Sequence, residues 1–107
     1  MIKLYSLLSE KIIKKNNINN IQIKGISSNS KKIKKDYIFT VLSGSSNNGL
    51  DYIFEAINNG ATAILINNKN LQHIKKKLTI EIIISNEPRK LYAIICNKFS
   101  KYKFKNI

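Results

Sequence analysis

Three short runs rich in β-branched and other apolar residues, YIFTVL at 37–42, ATAILI at 61–66 and IEIIIS at 80–85, constrain this chain more than any other feature. Strands this apolar bury both faces, which is the situation of inner strands covered by crossing helices. The intervening stretches fit that role. LDYIFEAINNG at 50–60 places Ile53, Ala56 and Ile57 on one face and closes on Asn58, Asn59 and Gly60, a helix with a C-terminal glycine stop. A short lysine-rich helix is expected around 71–78, and Pro88 opens a final helix with Leu91, Ile94, Ile95 and Phe99 at helical spacing. Upstream, Leu4, Leu7, Leu8 and Ile12 predict an amphipathic helix over 3–15, broken by NNINN at 16–20. IQIKGI at 21–26 alternates apolar with polar and reads as a half-buried strand, followed by a polar loop over 27–35. Alternation of strand and helix predicts the α/β class: a small mixed or partly parallel sheet flanked by helices.

The 107 residues suffice for one domain, 1–107, with a single core, and no repeat or long linker divides them. A formal net charge of +13 raises the possibility of a lysine-rich nucleic-acid-binding module. Two features argue against it. Arg89 is the only arginine among 19 basic residues, whereas bidentate phosphate and base recognition favours the guanidinium fork. Most of the five Tyr and four Phe sit in apolar runs where core packing claims them, away from any polar strand face on which bases could stack. The lysines also accompany many Ile and Asn, the residues that AT-rich codons supply. Cys96 stands alone, so no internal disulfide forms, and Lys3, Glu10 and Lys11 interrupt the N-terminal apolar segment before it reaches signal-peptide or membrane-span length. A cytoplasmic protein without a membrane partner is expected.

Candidate chemistry is sparse. Gly44 and Gly49 have the spacing that opens a phosphate-binding loop, but Leu50 and Asp51 stand where that loop needs Lys and Ser or Thr. An aspartate there repels a polyphosphate. His73 has no partner at catalytic or metal-ligand spacing, and Cys96 among Ile94, Ile95 and Phe99 reads as a small core residue. The carboxylates Glu10, Asp36, Asp51, Glu55, Glu81 and Glu87 show no acid–base pairing, Asp51 suits a helix first turn, and Lys75, Lys76 and Lys77 read as a solvated face. No metal site is expected. What remains is two polar loops, SSNSKK at 27–32 and GSSNNG at 44–49, each following a strand. In open α/β sheets ligands bind beyond the carboxyl ends of parallel strands, so the two loops can line one site, although composition alone also explains both as turns.

The stretch 26–66 resembles the N-terminal domain of the Mur ligases. Residues matching the family's motifs are Asn29-Ser30-Lys31, Lys34-Lys35, Ile38-Phe39-Thr40-Val41, Gly44, Asn48-Gly49-Leu50, Tyr52-Ile53 and Gly60-Ala61-Thr62-Ala63. SNEPRKLYAIICNKFSKYKFKNI at 85–107 is similar to the helix leading into the ligases' central domain, and favours the MurE type over the MurF type. Asn29 and Lys31 stand for the family's Asp and Arg, Lys35 for its turn glycine and Leu50 for its histidine.

The resemblance implies that this domain holds the uridine-diphosphate end of UDP-N-acetylmuramoyl-L-alanyl-D-glutamate. The contacts carry over to Ser30 and Ser28 on the first loop and to Ser45, Ser46 and Asn47 on the second. It also implies that the intact enzyme is an ATP- and magnesium-dependent ligase adding a diamino acid, meso-diaminopimelate or lysine. The family's ATP loop is expected just beyond Ile107, so the chain alone should bind no cofactor and catalyse no ligation, as either a ligase fragment, partnered by the remaining domains, or a decayed gene's product. Ser30, expected at an exposed loop position, should be replaceable by alanine with little effect on stability.

Overall fold

A computed structural model describes residues 2–3, 13–14, 22–42, 52–72, 74 and 78–105. In chain order these form β1 (Ile2–Lys3), β2 (Ile13–Lys14), β3 (Gln22–Ile23), β4 (Gly25–Ser27), a 3-10 turn (Ser30–Lys32), β5 (Tyr37–Thr40), α1 (Ile53–Asn58), β6 (Ala61–Ile66), α2 (Asn68–Leu71), β7 (Glu81–Ile84) and α3 (Pro88–Lys105). Strands β4, β5, β6 and β7 are parallel neighbours in sequence order, and β2 adds an antiparallel edge to β7 with Ile13 opposite Ile84. A separate antiparallel pair joins β1 to β3. The sheet is therefore mixed and mainly parallel, as the alternating pattern predicts.

Period-two alternation divides the apolar residues between two cores. Ile38, Ala63, Leu65 and Ile83 face Leu91, Ile95 and Phe99 of α3, together with Ile23. Phe39, Val41, Ile64 and Ile66 face Ile53 and Ala56 of α1, together with Ile33. Ala61 joins the α1 side although its number has the parity of Ala63. The register passes from Tyr37 opposite Ala61 to Ile38 opposite Ala63, so Thr62 is an extra residue that resets the alternation.

The end of α1 is fixed by backbone contacts. Gly60 has φ +116°, and a Cβ there would lie 2.7 Å from both the Cα and N of Lys35. The Asp36 N–H donates to the Gly60 carbonyl at 3.1 Å, tying the helix exit to the start of β5. Asp36 itself is left-handed, with φ 67°. The left-handed residue of this turn is thus Asp36, one position after the Lys35 matched above to the family's turn glycine.

Three expectations need correction. The helix expected over 3–15 cannot reach either of its ends, because Lys3 lies in β1 and Lys14 in β2; residues 4–12 and the NNINN segment fall outside the described residues. At both ends, backbone pairing with β3 and with β7 takes the place of helical spacing. The strand expected over 21–26 is two strands: Lys24 bends the chain between them, and its N–H donates to the Asp36 carbonyl at 2.8 Å. The helix expected at 71–78 lies instead at Asn68–Leu71, because the Asn67 side chain caps it by accepting from the Asn70 N–H at 2.7 Å. Leu71, Ile74 and Leu78 pack half-buried against the α1-side core; His73 and Lys75 to Lys77 lie outside the described residues.

Candidate functional site

Because β4 to β7 are parallel, Ser27, Thr40, Ile66 and Ile84 end at the same edge of the sheet. The loop leaving β4 is organised by its own side chains. The Ser27 hydroxyl accepts from the Asn29 N–H at 3.0 Å, and Asn29 Oδ1 accepts from the Lys31 N–H at 3.0 Å. The latter is an Asx-type cap that an aspartate oxygen would make equally well. Two further bonds close the 3-10 turn, Lys32 N–H to the Asn29 carbonyl at 3.0 Å and Ile33 N–H to the Ser30 carbonyl at 3.3 Å.

Ser28 is exposed at this edge. Ser30 is not: only 5% of it is accessible, which corrects the expectation of an exposed position. Ile33 enters the α1-side core and draws the turn inward, so that Ser30 lies against the flank of α1. There its hydroxyl donates to Glu55 Oε1 at 2.5 Å and its carbonyl accepts from Asn59 Nδ2 at 2.9 Å. Ser45, Ser46 and Asn47, together with Gly44, Gly49 and Asp51, lie outside the described residues. Glu55 and Asn59 escaped the sequence reading. Their four-residue spacing on one helix face was visible, but nothing in the sequence pairs that face with a loop 25 residues upstream.

Cys96 is half-buried, less enclosed than a core residue. Burial pushes its thiol above the ordinary value, and a hydrogen bond with Tyr92 offsets this only in part. The thiolate that nucleophilic attack requires is thereby disfavoured. Among the described residues no group of three His, Cys, Asp or Glu could hold a metal ion, and no helix is long and apolar enough to cross a membrane.

A small α/β domain with parallel strands and a hydroxyl- and amide-rich loop at their carboxyl edge has the layout of a ligand-binding domain of an open-sheet enzyme. Residues 22–99 match the family model described as "Mur ligase family, catalytic domain". The chain belongs to the Mur ligase family, and its α/β fold is of the family's N-terminal type.

Among its relatives, the UDP-N-acetylmuramoyl-L-alanyl-D-glutamate–2,6-diaminopimelate ligase of Rickettsia prowazekii is 42% identical over 62 residues, which is 58% of this chain and 13% of that protein. The second such ligase of Clostridium acetobutylicum is 36% identical over 80 residues, 75% of this chain and 16% of the relative. The chain thus spans only a small part of the proteins it matches. Two Acinetobacter baumannii structures share the fold. MurF superposes with TM-score 0.59 and 15% identity over 75% of this chain and 16% of its own. The UDP-N-acetylmuramoylalanyl-D-glutamyl-2,6-diaminopimelate–D-alanyl-D-alanyl ligase gives TM-score 0.56 and 16% identity over 70% of this chain and 16% of its own.

Proposed function

We propose that the chain is the UDP-substrate domain of a MurE-type ligase. In the complete cytoplasmic enzyme it holds the uridine-diphosphate end of UDP-N-acetylmuramoyl-L-alanyl-D-glutamate while other domains join a diamino acid, meso-diaminopimelate or lysine, to the D-glutamate carboxylate. The observation that carries this reading is the shared name of the curated relatives: those at 42% and 36% identity are both ligases for the 2,6-diaminopimelate step. The MurF-type alternative draws on the structural neighbours, whose identities of 15% and 16% speak for the fold alone.

Within the chain, the 28–32 loop supplies Ser28 and Ser30 at the carboxyl edge, and Ser45, Ser46 and Asn47 are assigned to the same cleft from the loop after β5. Magnesium-ATP has no fitting residues here, because Leu50 and Asp51 follow Gly49 where an ammonium and a hydroxyl are needed. ATP chemistry is accordingly assigned to the rest of the ligase, and the chain alone should not ligate.

Chemical-shift mapping tests the reading. Adding UDP or UDP-N-acetylmuramoyl-L-alanyl-D-glutamate should move amides at Ser28, Ser30 and Ser45 to Asn47. A folded chain whose shifts fall elsewhere contradicts the site, and one with no response to either ligand contradicts the function.

A further inference from the structure

An asparagine followed by glycine is prone to lose its side-chain amide. The glycine nitrogen gives its proton to a solvent base and attacks the asparagine Cγ. A bond from N to Cγ forms, the Cγ–Nδ2 bond breaks, and the departing nitrogen takes a proton from water and leaves as ammonia. Water then opens the resulting five-membered succinimide to aspartate or isoaspartate. Glycine favours the attack because it carries no side chain to hinder the approach. Two such dipeptides occur, Asn48-Gly49 and Asn59-Gly60. The first lies outside the described residues, and the second closes α1.

Asn59 is open to solvent, so burial does not protect it. Geometry does. Ring closure needs the Gly60 nitrogen turned about the Asn59 Cα–C bond until it faces the side chain, a near-attack arrangement. At ψ −6° it eclipses the Asn59 main-chain nitrogen instead. Its N–H donates to the Ile57 carbonyl at 3.0 Å, which keeps the proton in place. Asn59 Nδ2, the group that would leave, donates to the Ser30 carbonyl at 2.9 Å. Turning ψ also swings Gly60, and Gly60 is pinned. Its carbonyl accepts from the Asp36 N–H at 3.1 Å, and its Cα lies so close to Lys35 that a Cβ there would come within 2.7 Å of the Lys35 backbone.

The product cannot restore these contacts. A carboxylate has no proton to give the Ser30 carbonyl, so two acceptors would face each other. The new charge would also stand at the C-terminal end of α1, one turn from Glu55. Isoaspartate adds a methylene to the main chain just before Gly60 and shifts that residue out of its fit against Lys35.

We propose that Asn59-Gly60 is a deamidation site gated by the docking of the α1 exit on the 34–36 turn and on Ser30. The docked fold holds the reaction back, release of the exit permits it, and the conversion then keeps the exit from docking fully again. This modification site is independent of the UDP reading.

The 107-residue chain, incubated at one temperature and one mildly alkaline pH with and without denaturing urea, tests the gate. Mass spectrometry of its peptides separates Asn59 from Asn48 and follows the loss of ammonia. Conversion at Asn59 should be slower in the native chain than in urea by at least about tenfold, because only the locally opened fraction reacts. A smaller ratio overturns the proposal. Asn59→Asp supplies the aspartyl product directly and should lower the urea midpoint relative to the parent, in salt sufficient to screen surface charge. A midpoint at or above that of the parent overturns the claim that conversion keeps the exit from docking. The rate comparison needs no variant.

Discussion

Ser30 couples stability to the candidate site. Its burial and its bond to Glu55 mean that Ser30→Ala removes a fold contact as well as the proposed ligand contact. Glu55 is exposed and regains water in the variant, so the cost should be that of an ordinary hydrogen bond, about 1 kcal/mol, measurable by urea denaturation. An unchanged midpoint would mean that the Ser30–Glu55 bond contributes nothing in solution. Asp36 gives a prediction of opposite sign. At φ 67° it occupies a conformation that costs a residue with a Cβ more than glycine, although aspartate tolerates it better than most. Asp36→Gly should stabilise the fold by roughly 0.5–1 kcal/mol, after allowing for glycine's greater freedom in the unfolded chain. A loss of stability would show that the Asp36 side chain matters more than its backbone. Asp36 was not recognisable from the sequence as this residue, since the family comparison placed the turn glycine at Lys35 and only backbone angles separate adjacent positions.

The legible elements were those specified by local chemistry and by burial together. The 61–66 run is a strand over its whole length, the 37–42 run contains β5 between two parallel neighbours, and Pro88 starts α3 as its fixed φ predicts. The glycine stop of α1 was legible too, for a reason the structure sharpens: Gly60 combines a positive φ with contact against the Lys35 backbone. Gly60→Ala should therefore cost more than left-handed strain alone, at least about 2 kcal/mol, because backbone atoms cannot rotate away as a flexible side chain would. Thermal unfolding checks this, and a variant within 0.5 kcal/mol of the parent, roughly the scatter of neutral surface changes, would show that the crossing of α1 and the 34–36 turn yields easily. The elements that escaped the reading are set by distant partners. Residues 2–3 and 13–14 become strands by pairing with β3 and β7, and such pairing leaves no period in the sequence between them. Of the candidate site, Ser28 and Ser30 are proposed from the resemblance, whereas the contacts of Glu55 and Asn59 with Ser30 depend on how the turn packs against α1.

For the chain as a whole, the net charge of +13 sets the proposed UDP-substrate reading against a nucleic-acid-binding one. Nonspecific binding to nucleic acid would draw on that charge and release counterions, so its affinity would fall steeply with salt. Recognition of a UDP-sugar at a formed cleft depends on hydrogen bonds in fixed geometry and should be far less sensitive to salt. Comparing the dissociation constants for UDP-N-acetylmuramoyl-L-alanyl-D-glutamate and for single-stranded RNA, each across a salt series, distinguishes the two. The UDP-substrate reading predicts saturable binding of the UDP-peptide that persists at physiological salt and RNA binding that disappears as salt rises. Micromolar RNA binding at physiological salt with a steep salt slope, and no response to the UDP-peptide, would contradict it.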